Sequence, residues 1–285
     1  MIFQHPLTED TALRLLEPRH AEECFALIDA NRARLQIWLD WVERTNSVDD
    51  RRAYCKLALE QCAQGRSLVV GIWHRGRFAG TVGLEDINTF AGTAEIGYWL
   101  GEEFQGHGLV TNTCRAIIAH AFGTLGLNRL QIRVQPINSR SRAIPQRLGF
   151  RREGTLRQVG RILDNRIDLE VYSLLREDWA GAAAPIAFTH PLTDDAELRL
   201  VMPQDAEPLF ALVEQNREHL RWMIFTEGTK SVEDIRSFIR HTLQEMAEDK
   251  GQSVAIVHHG RLAGIFGAGG IDRNSQKVEI GYLVG

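Results

Sequence analysis

The chain has 285 residues, of which 44% are hydrophobic and 25% charged, a composition typical of a soluble globular protein with one or two domains. A net charge of −4 gives no sign of a nucleic-acid partner, and no apolar run reaches the ~18 residues that cross a bilayer. Because the N-terminus lacks a signal-peptide pattern and the four cysteines form neither a CxxC pair nor a zinc-binding cluster, we expect a cytoplasmic protein with no metal site and no membrane partner.

Hydrophobic periodicity and turn residues predict alternating strands and helices over the first 180 residues. In chain order, the predicted elements are a strand at 12–16, helices at 20–30 and 47–64, strands at 68–74, 80–86 and 95–100, a helix at 109–125, a strand at 130–135, a helix at 139–148, and strands at 150–156 and 167–175. Arg75-Gly76-Arg77 is typical of a hairpin turn. This order predicts a mixed α/β fold whose sheet begins antiparallel.

The chain contains an internal repeat. His5-Pro6-Leu7-Thr8 recurs as His190-Pro191-Leu192-Thr193, and residues 51–101 align without a gap to 235–285, with 17 of 51 positions identical. A period of about 185 residues indicates a domain duplication rather than a solenoid. We therefore predict a complete domain at 1–180, a linker at 181–185 and a partial second copy at 186–285.

A glycine-containing segment lies between a predicted strand and a predicted helix. Its residues are Gln105-Gly106-His107-Gly108-Leu109-Val110. Glycines let a backbone approach a ligand closely, and the start of a helix presents unpaired N–H groups and the positive end of a dipole. Together these features suit a pyrophosphate group, although the same glycines could serve only a tight turn.

A run of arginines follows this segment. Residues 129–161 contain nine arginines and one acidic residue, Glu153. Such a run is usually a solvated face, but guanidinium groups also pair well with phosphates, so a polyanionic ligand is an alternative.

Several motifs in this order resemble the GNAT superfamily of N-acetyltransferases, and more narrowly its branch of Rim-type ribosomal-protein N-terminal acetyltransferases. The matching residues are Ala94-Glu95-Ile96-Gly97-Tyr98-Trp99-Leu100, Gln105-Gly106-His107-Gly108, Asn138-Ser139-Arg140-Ser141-Arg142-Ala143-Ile144-Pro145, Leu148-Gly149-Phe150, Glu153-Gly154, Asp168, Tyr172 and Glu177-Asp178-Trp179. The resemblance covers residues 1 to about 180. It departs from the family at Glu103, where the superfamily loop usually has Gln or Arg.

The resemblance implies a fold and an activity. The fold is an α/β (α+β) one with a mixed, mostly antiparallel sheet flanked by helices, and the activity is transfer of an acetyl group from acetyl-CoA to a primary amine. The acceptor implied is a protein or peptide N-terminal α-amine. Two alternatives remain, a small-molecule amine and a non-catalytic acyl-CoA-binding regulatory module, because one fold supports many functions.

The resemblance also implies roles for individual residues in binding acetyl-CoA and in the reaction. Glu95 is the predicted base, unless it points outward or makes only a structural hydrogen bond. Ser141 is expected to protonate the leaving thiolate, and Asn138 either binds the pantetheine arm or caps a helix. The residues expected to bind acetyl-CoA are Trp99 and Leu100, through backbone N–H groups, then Gln105, Gly106, His107, Gly108, Leu109, Val110, Asn138 and Ser141.

Three aromatic residues are predicted to contact the acceptor. Trp38 and Trp41 lie in the connection between the first two helices, which forms part of the acceptor wall in the family, and Phe90 lies in the loop before the Glu95 strand. Packing in the core is the alternative for all three, because aromatic side chains dominate protein cores.

The partial second copy holds Glu279, the counterpart of Glu95, but no counterpart of Gly106, Gly108, Asn138 or Ser141. We therefore expect it to be catalytically silent. Its last strand would be an unpaired edge, and such edges are covered by another segment or aggregate. The first copy or a second chain is the expected cover, the latter through self-association.

Overall fold

The computed structural model describes residues 2–181, 183–272 and 277–284. Residue 182 of the predicted linker, and residues 273–276 and 285 of the predicted second copy, lie outside that range. The chain divides into two compact units. The larger comprises Pro6–Cys55 and Arg66–Ile186, and the smaller comprises Met1–His5, Lys56–Gly65 and Ala187–Gly285. The linker at 181–185 and the domain boundaries beside it stay a prediction.

The elements follow the predicted order in the first copy and repeat in the second. The helices are α1 (Ala21–Ala30), α2 (Arg32–Leu35), α3 (Val48–Ala63), α4 (Leu109–Gly123), α5 (Ser139–Arg147), α6 (Ala206–Gln215), α7 (Ile224–Gly228) and α8 (Val232–Ala247). The strands are β1 (His5–Thr8), β2 (Thr11–Leu15), β3 (Leu68–His74), β4 (Arg77–Asn88), β5 (Thr93–Leu100), β6 (Arg129–Val134), β7 (Arg151–Ile162), β8 (Asn165–Leu175), β9 (Thr189–Pro191), β10 (Ala196–Leu200), β11 (Gln252–His258), β12 (Arg261–Asp272) and β13 (Lys277–Val284).

All elements predicted for the first copy are present, and the expected fold class is confirmed. The sequence analysis missed β1 and α2, because four-residue elements are too short to show a period. It also ended the strand at 150–156 too early, since β7 continues to Ile162. Arg75 and Gly76 form the predicted hairpin turn with φ angles of 50° and 75°, as a type I′ turn requires.

The first sheet has eight strands in the order β1-β2-β3-β4-β5-β6-β8-β7. Only β5 and β6 run parallel among its described pairs, and they pair over three residues each, ending where Glu95 lies opposite Gln131. Beyond that point both strands continue but no longer pair with each other. The sheet therefore opens between β5 and β6.

The core of the larger unit lies against the faces of this sheet. Ile96 on β5 and Ile117 on α4 are almost fully buried, as are Leu13 and Leu84 on the other strands. All four cysteines are free and buried, and burial raises the pKa of Cys62 to about 12. No described helix has both the length and the apolar character needed to cross a membrane.

The smaller unit repeats the first half of the same fold. Its sheet has the order β13-β12-β11-β10-β9, and Gln4 forms a bridge to Thr189. Helices α6 and α8 bury Leu209 and Ile239, with Ala63 of α3 in the same cluster. Ser231 caps α8, because its hydroxyl accepts the N–H of Asp234.

Strand β13 is an edge in the part of the chain that the structure describes. It pairs only with β12, and the side chains on one of its faces are exposed: Val278, Ile280, Tyr282 and Val284. Their counterparts on β5 include Ala94 and Ile96, which are buried.

Candidate active site

A cleft of ≈ 1700 Å³ opens in the larger unit where β5 and β6 diverge. The loop before α4, the start of α5 and the segment between α2 and α3 also line it. The cleft brings together most of the residues predicted to bind substrates: Trp38, Trp41, Glu95, Trp99, Leu100, Gln105, Gly106, Gly108, Leu109, Val110, Asn138 and Ser141. Residues separated by about 100 positions in the chain therefore line one cleft.

The divergence of β5 and β6 leaves unpaired backbone at the wall of the cleft. Past Glu95, β5 runs on to Leu100 and β6 to Val134 without pairing, and both segments line the cleft. Backbone N–H and C=O groups on such an edge are available to an extended ligand, which can pair with them as a strand would.

The loop before α4 has the backbone that its glycines predict. Gly106 and Gly108 have φ angles of 82° and 72°, which residues other than glycine rarely adopt. Gly108 is the N-cap of α4. A Cβ at Gly106 would meet nothing within 4 Å, and a Cβ at Gly108 would meet only the Asn112 side chain, at 3.8 Å. The N–H groups at the start of α4 therefore lie beside open space.

Contacts at both ends hold this loop in position. The Gln105 side chain accepts a hydrogen bond from Arg140 of α5 at 2.6 Å. Glu103, where the family usually has Gln or Arg, accepts two hydrogen bonds from Arg77 at 2.8 Å. The departure at Glu103 thus forms an ion pair that ties the loop to β4.

Two of the predicted residues are not brought to the cleft. Phe90 lies in the turn between β4 and β5 with its side chain fully exposed. The ring of His107 is exposed and lies 5.5 Å from the ring of His74. The sequence analysis located both correctly in loops, but loop position alone does not determine the direction of a side chain.

Asn138 and Ser141 lie at the N-terminus of α5. The Asn138 side chain accepts the backbone N–H of Ser141 at 3.1 Å, so the helix-cap alternative for Asn138 is observed. The Ser141 hydroxyl lies 3.1 Å from the hydroxyl of Tyr98, which itself donates to the Ser141 carbonyl. Burial raises the pKa of Tyr98, so its phenol stays protonated. The sequence analysis did not assign a role to Tyr98.

Aromatic side chains form the wall opposite the loop. The rings of Trp41 and Trp99 are 5.9 Å apart, and Trp38 lines the same region. Arg51 of α3 is buried against Tyr54 and Trp41, at 4.1 Å and 5.5 Å from their rings, and its Nε donates to Cys24. Trp38 and Trp41 thus line the cleft, and Trp41 also packs against neighbouring side chains. Acceptor contact and packing, the two predicted alternatives, do not exclude each other.

Two carboxylates face each other across β4 and β5. Glu85 lies directly opposite Glu95, and both line the cleft. Glu95 accepts hydrogen bonds from Gln131 at 2.9 Å and from Arg133 at 2.8 Å. Glu85 was not among the predicted site residues, because only the strand register places it beside Glu95.

Most of the arginines in the 129–161 run are paired with acids. The ion pairs join Arg129 to Glu153, Arg133 to Glu95, Arg142 and Arg152 to Glu170, Arg151 to Asp178, and Arg161 to Asp164. Arg140 and Arg147 instead line the cleft, and within the described residues they bond to Gln105 and Thr111, which are neutral. Arg115 of α4 lines it too. Within the 129–161 run, the phosphate-binding alternative therefore concerns Arg140 and Arg147.

An open edge between two strands, a glycine loop at a helix N-terminus and an aromatic wall together define a group-transfer enzyme of the acetyltransferase type. The model of the acetyltransferase (GNAT) domain matches residues 11–151 and 196–285. The chain belongs to this family and is an N-acetyltransferase. The second matched segment agrees with a partial second copy of the fold.

Known relatives match the first copy over nearly their whole length. The Bacillus subtilis protein YdaF, a proposed ribosomal N-acetyltransferase, is 36% identical over 63% of this chain and 99% of its own. The ribosomal L7/L12 α-N-protein acetyltransferase RimL, solved with coenzyme A, is 26% identical with a TM-score of 0.58 over 60% of this chain and 97% of its own. The microcin C7 self-immunity acetyltransferase MccE, solved with acetyl-CoA and AMP, is 28% identical with a TM-score of 0.57 over 59% and 94%.

Proposed function

We propose that the chain transfers the acetyl group of acetyl-CoA to the N-terminal α-amine of a protein or peptide. The observation that carries this proposal is the single cleft that joins the glycine loop to the Trp38–Trp41 wall through the open edge of β5. One end of the cleft suits a phosphate-bearing donor and the other an acceptor. Relatives described as ribosomal-protein acetyltransferases support a protein acceptor, and a ribosomal protein would be met in the cytoplasm.

The donor is held mainly by backbone groups. The pyrophosphate of acetyl-CoA would accept hydrogen bonds from the N–H groups around Gly106 and Gly108, at the positive end of the α4 dipole. Arg115, Arg140 and Arg147 supply positive charge along the same part of the cleft. The pantetheine arm would extend along the unpaired edge of β5 towards Trp99.

The reaction itself needs a neutral amine, a stabilised oxyanion and a protonated leaving group. The amine nitrogen attacks the thioester carbon, and backbone N–H groups near Trp99 and Leu100 would stabilise the negative oxygen that forms. The C–S bond then breaks, and the Ser141 hydroxyl would give the thiolate a proton. An α-amine titrates near ~8 and a lysine amine near ~10.4, so the α-amine loses its proton more readily.

We assign this activity to the first copy. The described part of the second copy has Glu279 but no loop equivalent to Gln105–Gly108 and no helices equivalent to α4 and α5. That described part therefore supplies no counterpart of the phosphate-binding end of the cleft.

The test measures release of free thiol from acetyl-CoA by the full chain with three kinds of acceptor. These are a peptide with a free N-terminus, the same peptide blocked at its N-terminus but containing lysine, and a panel of small amines. We expect release only with the free N-terminus, and mass spectrometry should locate the acetyl group on the α-amine. If free thiol were released only with small amines, the acceptor would be a small-molecule amine and not a protein N-terminus. Binding of acetyl-CoA without release for any acceptor would favour the non-catalytic module.

A further inference from the structure

Glu85 lies in an unusual position on the face of the sheet. In the β4–β5 ladder, Gly83 is opposite Gly97 and Glu85 is opposite Glu95. A carboxylate oxygen of Glu85 lies 3.2 Å from the point where a Cβ on Gly83 would be, and 3.7 Å from that point on Gly97. Because neither glycine has a side chain, the Glu85 carboxylate lies across the sheet surface, exposed within the cleft while the cleft walls exclude part of the surrounding water.

The partner carboxylate is already occupied. The two oxygens of Glu95 lie 2.8 Å and 2.6 Å from Nε of Arg133, and Gln131 donates to Glu95 at 2.9 Å. Its side chain is only 16% exposed. Glu85, by contrast, forms no ion pair among the described residues, so its negative charge in this part of the cleft is offset only in part, by Arg133 at longer range.

The second copy indicates that the fold does not require a glutamate at this position. The β12–β13 hairpin repeats β4–β5, with Gly267 opposite Gly281. The counterpart of Glu95 there is Glu279, whereas the counterpart of Glu85 is Gly269. Since the same hairpin forms without the acidic side chain, Glu85 is free to serve the ligand in the first copy.

We propose that Glu85, rather than Glu95, binds the ammonium group of the acceptor and accepts its proton. The inference rests on the proposed function and names the group that makes the amine reactive. One proton passes from the ammonium nitrogen to a Glu85 oxygen, directly or through one water. The freed lone pair forms the C–N bond to the thioester carbon, and the C–S bond then breaks. The nitrogen loses its second proton, which replaces through solvent the proton that Ser141 gives to the thiolate, and Glu85 returns its own proton to solvent. Glu95 is a positioning residue that neutralises Arg133.

Charged and titratable groups around Glu85 favour this role. Desolvation in the cleft has the largest effect on the pKa of Glu85 and raises it. The carboxylates of Glu95 and Asp86 raise this pKa further, whereas Arg133 on β6 lowers it. Tyr54 of α3 also faces this region and stays neutral, since burial raises its pKa to about 12. A base whose pKa is closer to that of the amine takes the proton at a smaller cost in free energy.

The first experiment records kcat/KM against pH for the full chain and three variants. Glu85→Gln should lower kcat/KM at pH 7 by at least about 100-fold, and the loss should shrink above the amine pKa of about 8. In Glu95→Gln, kcat/KM should still fall on the acidic side of the profile, the acidic limb, but at a lower pH. The reason is that Arg133, no longer neutralised by Glu95, lowers the pKa of Glu85. Asp86→Asn, outside the cleft at a φ of 51° that Asn tolerates, should keep the rate at high pH and move the acidic limb only slightly to lower pH, because the Asp86 carboxylate also raises the pKa of Glu85.

A second measurement does not depend on finding an acceptor. ¹³C NMR of labelled glutamate carboxyls, with Glu85→Gln to assign the resonance, should find Glu85 titrating above the ordinary range near ~4.3. An ordinary titration would overturn the proposal even if no acceptor were turned over. A parent-like pH profile in Glu85→Gln, or loss of the acidic limb only in Glu95→Gln, would overturn it as well. Absence of turnover by the parent chain would instead count against the proposed function.

Discussion

The Asn138 side chain accepts the backbone N–H of Ser141 and thereby begins α5. Its carbonyl oxygen is used in this bond, while its amide nitrogen has no partner among the described residues. One residue can therefore cap the helix with its oxygen and donate to a ligand in the cleft with its nitrogen. The two predicted alternatives for Asn138 are compatible, because they use different atoms.

Substitutions at Asn138 should separate these two roles. Asn138→Asp keeps the capping oxygen and removes the donor, so we expect near-parental stability and weaker acetyl-CoA binding. Asn138→Ala removes both and should also cost about 1 kcal/mol of stability, the usual cost of losing a cap. Calorimetric binding and thermal unfolding measure the two effects. Equal acetyl-CoA affinity in Asn138→Asp and the parent would limit Asn138 to capping.

The glycine loop can be tested with a residue that tolerates its backbone. Gly108→Asn retains the left-handed conformation but fills the open space beside the N-terminus of α4. If it blocks one charge-assisted hydrogen bond of ~1.5–3 kcal/mol, acetyl-CoA affinity should fall about tenfold or more. Gly126→Asn is a matched control, with a φ of 67° at a site that does not line the cleft. If Gly108→Asn and Gly126→Asn lost the same acetyl-CoA affinity, backbone strain would explain the loss and blocking of the loop would not.

His20 makes the stability of the larger unit depend on pH. Its Nδ1 accepts the backbone N–H of Glu17 at 3.1 Å, and its ring packs on Trp73. Burial, with the charges of Arg19 and Arg14, lowers the pKa of His20 from 6.5 to about 3. The unfolded chain therefore binds a proton below pH 6.5 that the folded chain does not, and stability should be full above pH 6.5 and fall towards pH 3.

The second copy suggests a variant that removes this dependence. Asp205 occupies the position of His20 there, accepts the N–H of Met202 at 2.8 Å and pairs with Arg199. His20→Asp should flatten the stability curve between pH 6.5 and about 4, where the parent loses up to ~1.4 kcal/mol per pH unit. Urea unfolding at each pH measures it. Parallel curves for parent and variant would assign the acid sensitivity to another group.

The exposed face of β13 predicts self-association. Ile280 and Tyr282 are 63% and 69% exposed, and apolar strand edges of this kind pair with other chains. Ile280→Asp should therefore shift the chain towards monomer in sedimentation velocity. Leu57→Asp, at an isolated exposed leucine on α3, should leave the sedimentation coefficient unchanged. A parent chain that is already monomeric at high concentration would refute this expectation.

Residues 186–285 should not fold when expressed alone. The core of the smaller unit includes Ala63 of α3, and Gln4 pairs with Thr189, so the isolated piece loses contacts supplied by earlier residues. We expect aggregation or a disordered circular dichroism spectrum, and no acetyl-CoA binding. Cooperative unfolding of the isolated piece would contradict the first expectation, and binding would contradict the silence of the second copy.

Local patterns in the sequence were enough for the element order, the duplication and the glycine loop. Each depends on residues close in the chain: apolar side chains at the helix or strand period, and glycines at Gly106 and Gly108 where φ is positive. Trp38 and Trp41 were also found in this way, because they lie next to each other in one connection. The full exposure of Phe90 could not be predicted in this way, since a loop position does not specify where a side chain points.

Only the tertiary structure decided which carboxylate is free. Arg133 and Gln131 reach Glu95 because β6 pairs beside β5, and Glu85 meets Glu95 because a bulge between Glu85 and Asn88 sets the β4–β5 register. A shift of one residue in that register would turn Glu85 to the opposite face of the sheet. The sequence by itself thus determined the family, the glycine loop and the repeat, whereas contacts between distant residues determined the electrostatics of the candidate site.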